Sequence, residues 1–491
     1  MSKADIAGAR RRLTPLARLI GLAATVAIPL AALPAHADEL SDLKAQIQLL
    51  NQRLADIEAK QSKAAAAPVA AAPVAPARSA ALSTDQDGRP AKDDTALTLY
   101  DNGKSSLSIY GLVEATLSSV NHQTVTGGTV NGFQVAYFSG NRLGFDIQHA
   151  LDVGQSWDMP DLKVIAKLEE EFELPTGNMD TANVSFNRDA WMGLYSSKLG
   201  KLTFGRQNTL TRDFTANWGD PYGGAEVTTK EGGYSNVNNF KQFIFYSAGA
   251  SGTRYNSAIE WKKDLDGHWL VGAAYAFGSG GNGGSGDVGS GGPIAGDTSN
   301  GTGQAISVAY NKLDLGGAEL NLNASYDRAN KNQLIHEATL IGGNVVSGPW
   351  RFNAGFVHYT AEQGVHNSAG TRTDNSWTTS LSFRPNAFEY DLGYQVMKGQ
   401  HAGFSGGGVT LNPFLGNTAG VTATADGSKR SLYGAIRYRL DRQTDFYFAA
   451  DRFNVTGGWV VGDALGNGLH YGAGQTYKNE TEFATGLRFK F

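Results

Sequence analysis

Apolar and polar residues alternate along most of the chain from about residue 107 onward. In the stretch 480–491 the odd positions from Phe483 to Phe491 are mostly apolar, whereas the even positions from Glu482 to Lys490 are small or charged. This period of two predicts a β-strand with one apolar face. Its length is that of a strand crossing a bilayer, roughly 9–11 residues. We expect it to pair with the first strand of a closed barrel, because hydrocarbon leaves no water for a free strand edge.

The same period gives sixteen strands along the chain. They lie near 107–117, 141–152, 161–174, 186–195, 200–207, 252–263, 267–277, 304–313, 316–327, 333–344, 350–360, 373–384, 387–398, 429–441, 443–453 and 480–491. Short links alternate with long polar loops near 119–140, 175–185, 208–251, 278–303, 328–332, 361–372, 399–428 and 454–479. This predicts a 16-stranded antiparallel transmembrane β-barrel with short periplasmic turns and long extracellular loops. Phe240–Ala248 resembles another strand but would break the alternation, so we assign it to the loop 208–251.

The two faces of the predicted strands differ in polarity. Near 387–398, for example, Phe388 and Tyr390 face one way, whereas Glu389 and Asp391 face the other. A basic residue facing lipid at mid-membrane costs about 2–4 kcal/mol. The charged face should therefore line a water-filled channel. Glu170 is an exception on an apolar face, and we expect it near a rim or at a subunit interface.

Composition agrees with a membrane barrel. Glycine is abundant at 62 of 491 residues, and the mean hydropathy is −0.29. No stretch of eighteen apolar residues follows the leader, which argues against transmembrane helices. The chain contains no cysteine, which excludes disulfides, thiol nucleophiles and cysteine-based zinc sites.

The first 37 residues have the pattern of a cleaved signal peptide. Arg10, Arg11 and Arg12 precede an apolar run from Leu19 to Leu33, and 35–37 reads Ala-His-Ala. Without the five basic residues and one acidic residue of this leader, 37 basic and 45 acidic residues remain, a net charge of −8. That balance argues against a nucleic-acid partner.

Residues 38–63 predict a coiled-coil helix in the periplasm. Its apolar residues are spaced alternately by three and four, at Leu40, Leu43, Ile47, Leu50, Leu54 and Ile57. Mixed Ile and Leu at both seam positions favours three strands over two. The alternative is a single amphipathic helix lying on a surface. Residues 64–105 are an Ala/Pro-rich linker and lead-in, and 106–491 form the barrel.

Several segments resemble the Gram-negative general porins of the β-proteobacterial type. They are SLSIYGLVEATL (106–117), SGNRLGFDIQHALDVG (139–154), FNRDAWMGLYSSKLGKLTFGRQ (186–207) and the final Phe491. The resemblance covers 106–207 and 480–491 well, and the middle only by pattern. It implies sixteen strands, a homotrimer in the outer membrane, a third extracellular loop folded into the pore, and a role for Phe491 in membrane insertion. The coiled coil is not part of the usual family pattern.

The resemblance also implies a pore constriction. Its loop residues would be Asp213, Asp220, Glu226 and Arg212. Its basic wall would be Arg142, Arg188, Arg206 and Lys167. Strand parity supports an inward Arg142, which shares its face with Asp146, but it leaves the face of Arg206 open. Facing acids and bases would sieve solutes by size and charge, and the alternative for each residue is a solvated lumen position without a selectivity role.

Further lumen candidates follow from the alternation. They are Glu114, Lys163, Glu169, Arg254, Arg351, Arg437 and Arg439.

The sequence thus predicts an outer-membrane porin for passive diffusion of small hydrophilic solutes and ions. The alternative is a substrate-selective channel for small organic anions. We expect no enzyme, cofactor or metal, because no HExxH or calcium-repeat motif occurs. A barrel hydrolase and an adhesion or peptidoglycan-linking protein are the other classes considered. Expected partners are two further copies of the chain, outer-membrane lipid and lipopolysaccharide, with peptidoglycan or periplasmic proteins as candidates for the coiled coil.

Overall fold

The structure is a computed structural model. It describes residue 52 and residues 95–491 except 123–127, 135, 139, 182–183, 216–248, 279–300, 332, 406–407, 410–419, 422 and 458–478. The predicted signal peptide, nearly all of the predicted coiled coil, most of the linker and the segment Phe240–Ala248 lie outside the described residues.

Nineteen strands and one short α-helix occur in the described part of the chain. The strands are β1 (Leu97–Asp101), β2 (Ser105–Val120), β3 (Val130–Gln134), β4 (Asn141–Ala150), β5 (Lys163–Phe172), β6 (Asp189–Ser196), β7 (Gly200–Asn208), β8 (Arg254–Asp264), β9 (Trp269–Ala276), β10 (Gly303–Asp314), β11 (Glu319–Lys331), β12 (Leu334–Ser347), β13 (Trp350–Gln363), β14 (Gly370–Phe383), β15 (Phe388–Ser405), β16 (Gly408–Val409), β17 (Ala423–Arg439), β18 (Thr444–Gly457) and β19 (Asn479–Lys490). The helix α1 is Leu210–Thr215, and 3₁₀ turns lie at Asp152–Gly154 and Val365–Asn367.

Sixteen of these strands form the predicted closed antiparallel barrel. They are β2, β4–β15 and β17–β19, and each pairs with its neighbours in this order. The ring closes where β19 pairs with β2, from Glu482 opposite Val120 to Lys490 opposite Leu112. The expected barrel is therefore confirmed, and its sixteen strands coincide with the sixteen predicted ones to within a few residues, apart from longer extensions at the loop-rim ends of some strands.

Two short strands, β1 and β3, were not predicted by the alternation. They supply the remaining pairing partners of β2. This strand has 16 residues, more than the hydrocarbon requires, so its ends have backbone groups that β4 and β19 do not reach. β1 pairs with Ser106–Ile109 at one end, and β3 pairs with Thr116–Val120 at the other. The strand β1 lies in the segment predicted as lead-in, and β3 lies in the predicted loop 119–140.

The rim with short turns is built as expected. Its links are 151–162, 197–199, 265–268, 315–318, 348–349, 384–387 and 440–443. Aspartates stabilise several of them: Asp266 accepts the His268 and Trp269 N–H groups, and Asp441 accepts those of Gln443 and Thr444. These hydrogen bonds lower the pKa of both carboxyl groups, because they favour the ionised form.

Two links on the opposite rim are shorter than predicted. β11 and β12 are joined by 332–333, and β13 and β14 by 364–369, where the alternation indicated loops at 328–332 and 361–372. The expectation was wrong in extent because these strands continue to pair beyond the length that a bilayer needs.

The outward face of the barrel is apolar and the inward face is polar. Phe483 and Leu392 are 63% and 58% exposed, whereas the neighbouring Glu482 and Glu389 are fully buried. This reverses the usual distribution of a soluble protein. No helix in the described residues is long and apolar enough to cross a membrane.

Aromatic side chains form a belt on the outer face near the short-turn rim. Neighbouring ring pairs include Trp350–Phe383 at 4.2 Å, Phe388–Tyr438 at 4.8 Å and Phe489–Phe491 at 5.9 Å between centroids. Aromatic girdles of this kind mark the level of the lipid headgroups. The belt therefore positions the barrel in the membrane.

Closure of the barrel depends on a glycine in β2. Gly111 and Phe491 exchange both backbone hydrogen bonds, at 2.7 and 3.0 Å, and the Phe491 ring lies over Gly111. A Cβ atom at Gly111 would lie 2.7 Å from Phe491 Cε1 and 2.9 Å from the Arg142 carbonyl oxygen. The seam therefore has no room for a side chain at this position.

We predict that Gly111→Ala lowers the free energy of unfolding by about 1–3 kcal/mol, as is usual for overpacking. The urea midpoint of the folded barrel, followed by heat-modifiable migration on gels, measures this. Gly132→Ala is the control, because no heavy atom lies within 4 Å of its Cβ position. Equal midpoints for the two variants would contradict the described seam.

Candidate functional site

The predicted basic residues Arg142, Arg188 and Lys167 come together around Glu169. Arg188 forms ion pairs with both Glu169 and Glu171. Arg142 Nη1 lies 4.0 Å from Glu169 Oε1, and Arg142 Nε donates to the Gly140 carbonyl at 3.1 Å. We call Arg142, Lys167, Glu169, Glu171 and Arg188 the Glu169 cluster.

Strand geometry explains this convergence. Lys167 and Glu169 are two residues apart on β5 and share its inward face. Tyr110 of β2 donates to Glu169 Oε2 at 2.7 Å, and the Lys167 ammonium lies 5.1 Å above the Tyr110 ring. Glu169 is buried, so these partners offset the desolvation of its charge.

Arg206 lies on the other side of the barrel wall. In the β6–β7 register it is opposite Ala190, two positions beyond the pair Met192–Phe204, whose side chains are exposed on the outer face. Its guanidinium donates to the Asn187 carbonyl at 2.6 Å and to Asn256 Oδ1 at 2.5 Å. Arg206 thus does not join Arg142 and Arg188. The sequence left its face open, and in the structure its side chain lies on the outward face of the barrel.

The third long loop begins inside the barrel. All six residues of α1 are buried, including Leu210 and Phe214 with no exposed surface. The helix packs against β9–β12, where Leu210 Cδ1 is 2.7 Å from the Cβ position of Gly272 and the Phe214 carbonyl accepts from Asn323 at 2.6 Å. The small residues Gly272, Ala274 and Ala276 on the inner face of β9 leave room for α1.

An ion pair fixes α1 to the wall. Lys262 Nζ of β8 lies 2.5 Å from Asp213 Oδ2 and 2.9 Å from Glu260 Oε1. Asn208 donates to Asp213 and accepts from Arg212, both at 3.0 Å. Of the predicted loop residues, Asp213 and Arg212 therefore anchor the loop, whereas Asp220 and Glu226 lie outside the described residues.

The far end of the loop also lies inside. Ser251 donates to Asp327 of β11 from its backbone N–H at 2.8 Å and from its hydroxyl at 2.6 Å. Both described ends of the loop are therefore held on the inner wall, whereas its middle, 216–248, lies outside the described residues.

A second charged cluster lies on β15, β17, β18 and β19 and in the turn between β14 and β15. Glu389 forms ion pairs with Arg437, with Arg384 at 2.9 Å and with Arg439 at 3.3 Å. Arg437 is also 3.6 Å from Asp391. On the neighbouring strands, Arg488 pairs with Asp445 at 2.5 Å. We call these residues the Glu389 cluster.

The other predicted lumen residues are distributed around the barrel. Lys163 donates to Gln148 at 3.0 Å, Arg351 donates to Asn353 at 2.8 Å, and Arg254 is buried at the start of β8. Glu114 is fully buried on the inner face of β2.

Several inward charges were missed by sequence reasoning. They are Lys262, Arg384 and the pair Arg372–Asp374. Lys262 could have been found, since it shares a strand face with Glu260. Arg372 could not, because it fell in a predicted loop that is in fact strand. In the described residues, no group of three or more His, Asp or Glu side chains could hold a metal ion.

Comparisons with known proteins agree with this fold. The family model described as Gram-negative porin matches residues 64–458. Among solved structures, an anion-selective porin from Comamonas acidovorans has 18% identity, covers 79% of this chain and 100% of its own, and gives a TM-score of 0.54. A loop-L8 deletion mutant of OmpT, an outer membrane protein of Vibrio cholerae, has 14% identity over 79% and 100%, with a TM-score of 0.50. No curated protein sequence matches the chain.

Proposed function

The chain belongs to the Gram-negative porin family and forms an outer-membrane channel for small hydrophilic solutes, and we propose that its Glu169 cluster and infolded third loop set which solutes pass. The observation that carries this proposal is the inverted polarity of the wall. Charged side chains from β5, β8 and β17 lie inside, and Ile306, Leu392 and Phe483 lie outside.

The charges of the proposed constriction come from different parts of the wall. Arg142, Arg188 and Lys167 are on the β4–β6 side, whereas α1 packs against β9–β12. A solute between them would experience a transverse field, which orders dipolar solutes and filters ions by sign. The charge of Asp213 is paired with that of Lys262. The electric field that the loop presents to solutes would therefore depend on residues beyond α1.

A channel selective for small organic anions is the second candidate. The ion-paired Glu389 cluster has four arginines against three carboxylates and therefore carries one excess positive charge. The three basic residues of the Glu169 cluster face Glu169 and Glu171 and also Asp146 and Asp189, which lie opposite Lys167 and Glu169 on the neighbouring strands, so the support for anions comes from the Glu389 cluster. The Comamonas porin is named as anion-selective, which makes this property worth testing here.

Outward residues support the proposed homotrimer. Glu170 is half-buried on the outer face of β5, beside Leu168 and Phe172. A carboxylate facing lipid is unfavourable, whereas a neighbouring subunit could supply a partner. We therefore place the subunit interface on β4–β6.

The proposal extends to the segments before the barrel. A signal peptide over 1–37 would direct export, and the coiled coil over 38–63 would stand in the periplasm, joined by the Ala/Pro-rich linker. It would hold three chains together, and peptidoglycan or a periplasmic protein are its candidate partners. Lipopolysaccharide would surround the outer rim, and no catalytic activity is proposed.

We predict stepwise conductance in planar bilayers, with reversal potentials in a salt gradient that depend on the Glu169 cluster. Arg142→Ala removes a positive charge and should shift the reversal potential towards cation preference. Glu169→Gln replaces a carboxylate by a neutral amide of the same shape and should shift the reversal potential towards anion preference. Wild-type preference for chloride would support the anion-selective candidate, and preference for potassium would exclude it.

Arg452→Ala is the matched control, because Arg452 is exposed on the outer face of β18. It should leave the reversal potential unchanged. A protein that inserts but never conducts would refute the channel, and equal potentials for all three variants would refute the role of the cluster.

Deletion of residues 38–80 should leave single-channel conductance intact, since the barrel begins later in the chain. The trimer should dissociate at a lower temperature, because the coiled coil no longer contributes to assembly. Native mass measurement after stepwise heating tests this, with deletion of 64–80 alone as the control. Loss of conductance would show that the segment belongs to the pore itself.

A further inference from the structure

A second loop enters the barrel, opposite the third one. Between β3 and β4 the first long loop turns inward, so that Tyr137 is 1% exposed and Phe138 has no exposed surface. Residues of connecting loops normally lie on the surface. Their burial here shows that the inner wall has a site that accommodates both side chains.

The carboxylate of Glu114 holds this segment. Its Oε1 accepts the backbone N–H groups of Tyr137 at 2.7 Å and Phe138 at 2.9 Å, and also the Tyr447 hydroxyl at 2.8 Å. In return, the Asn141 side chain accepts the Glu114 backbone N–H. Charge-assisted hydrogen bonds of this kind are stronger than neutral ones, and they offset the cost of burying the carboxylate.

The two aromatic rings pack against β17, β18 and β19. The Phe138 ring meets Tyr447 edge-on at 4.6 Å, and the guanidinium carbons of Arg437 and Arg488 are each 5.8 Å from its centroid. Tyr137 donates its hydroxyl to Asp451 at 3.1 Å. Small inward side chains leave room for the rings, at Ala435, Ala449 and Ala484.

The two inward loops lie across the barrel from each other. The first contacts β2 and β17–β19, and the helix α1 of the third contacts β9–β12. Going round the ring, five strands separate β2 from β9, and three separate β12 from β17.

They also reach similar depths. Counted from the short-turn end of each strand, the contact residues of the first loop on β17–β19 lie two to seven residues in (Arg437, Arg488, Tyr447 and Asp451). Those of the third loop lie two to eight residues in (Lys262, Gly272, Asn323 and Asp327).

We propose that the first-loop segment 136–138, which the buried Tyr137 and Phe138 side chains hold inside the barrel, forms a second constriction element, so that solutes pass between the first and third loops and the first loop sets the upper size limit. This rests on the proposed channel function. Glu114 is then a positioning residue that keeps this segment inside the barrel, and Arg437 and Arg488, which are held by their own ion pairs, flank the Phe138 ring.

A graded series at Phe138 tests the proposal. Single-channel conductance and liposome swelling with uncharged sugars of rising mass would be measured for wild type, Phe138→Leu and Phe138→Ala. The expected order of both conductance and size limit is Ala above Leu above Phe. The alanine variant should conduct roughly 1.5-fold or more above wild type, since flow follows pore cross-section. Glu114→Gln should raise conductance as well, because it weakens the anchor without changing its shape.

The controls are Phe133→Leu and Phe133→Ala, since Phe133 belongs to β3 of the same loop but is 45% exposed. They should match wild type. If Phe138→Ala fails to fold, the leucine variant still decides. Equal conductance and size limit across the Phe138 series would overturn the second constriction while leaving the channel in place. A silent wild-type protein would instead refute the channel.

Discussion

The structure depends on one constraint: hydrocarbon offers no partner to a free backbone group or to a charge. Every barrel strand therefore pairs on both sides, and the ring closes through the β19–β2 register and the hydrogen bonds between Gly111 and Phe491. The same constraint sends charged side chains inward and leaves Leu, Ile and Phe outside. The closure of the strand ring and the inverted polarity of its wall thus both follow from the surrounding hydrocarbon.

The interior faces the opposite problem, because many charges lie close together there. The structure solves it by pairing: Glu169 and Glu171 with Arg188, Glu389 with three arginines, and Lys262 with Asp213 and Glu260. Removing one member of such a group leaves a buried charge without compensation, which is more costly than the pair is favourable. The inward loops use the same means, since Asp213 and Glu114 attach them to the wall. The elements that shape the channel are therefore held by electrostatics, within a scaffold held by backbone pairing.

The barrel could be predicted from sequence because a strand with one wet and one lipid-facing side leaves a period of two. Glu482 and Phe483 are enough to orient β19, and the same reading located the Glu169 cluster through Lys167 and Glu169. Prediction failed where this period stops. Arg206 was assigned to the basic wall by resemblance alone, although it shares its parity with Phe204, and it lies next to an irregularity in the β7–β8 register. Tyr137 and Phe138 lie in a loop with no period at all, and only the fold brings them to Glu114.

The most direct test of the inverted barrel is lipid accessibility along one strand. The chain has no cysteine, so single cysteines can be placed at successive positions from Leu320 to Tyr326 of β11 and treated with a thiol reagent that dissolves in the bilayer. The described structure predicts labelling at 320, 322, 324 and 326, which face lipid, and protection at 321, 323 and 325, which are buried inside the barrel. Uniform labelling, or labelling of the odd positions alone, would contradict it.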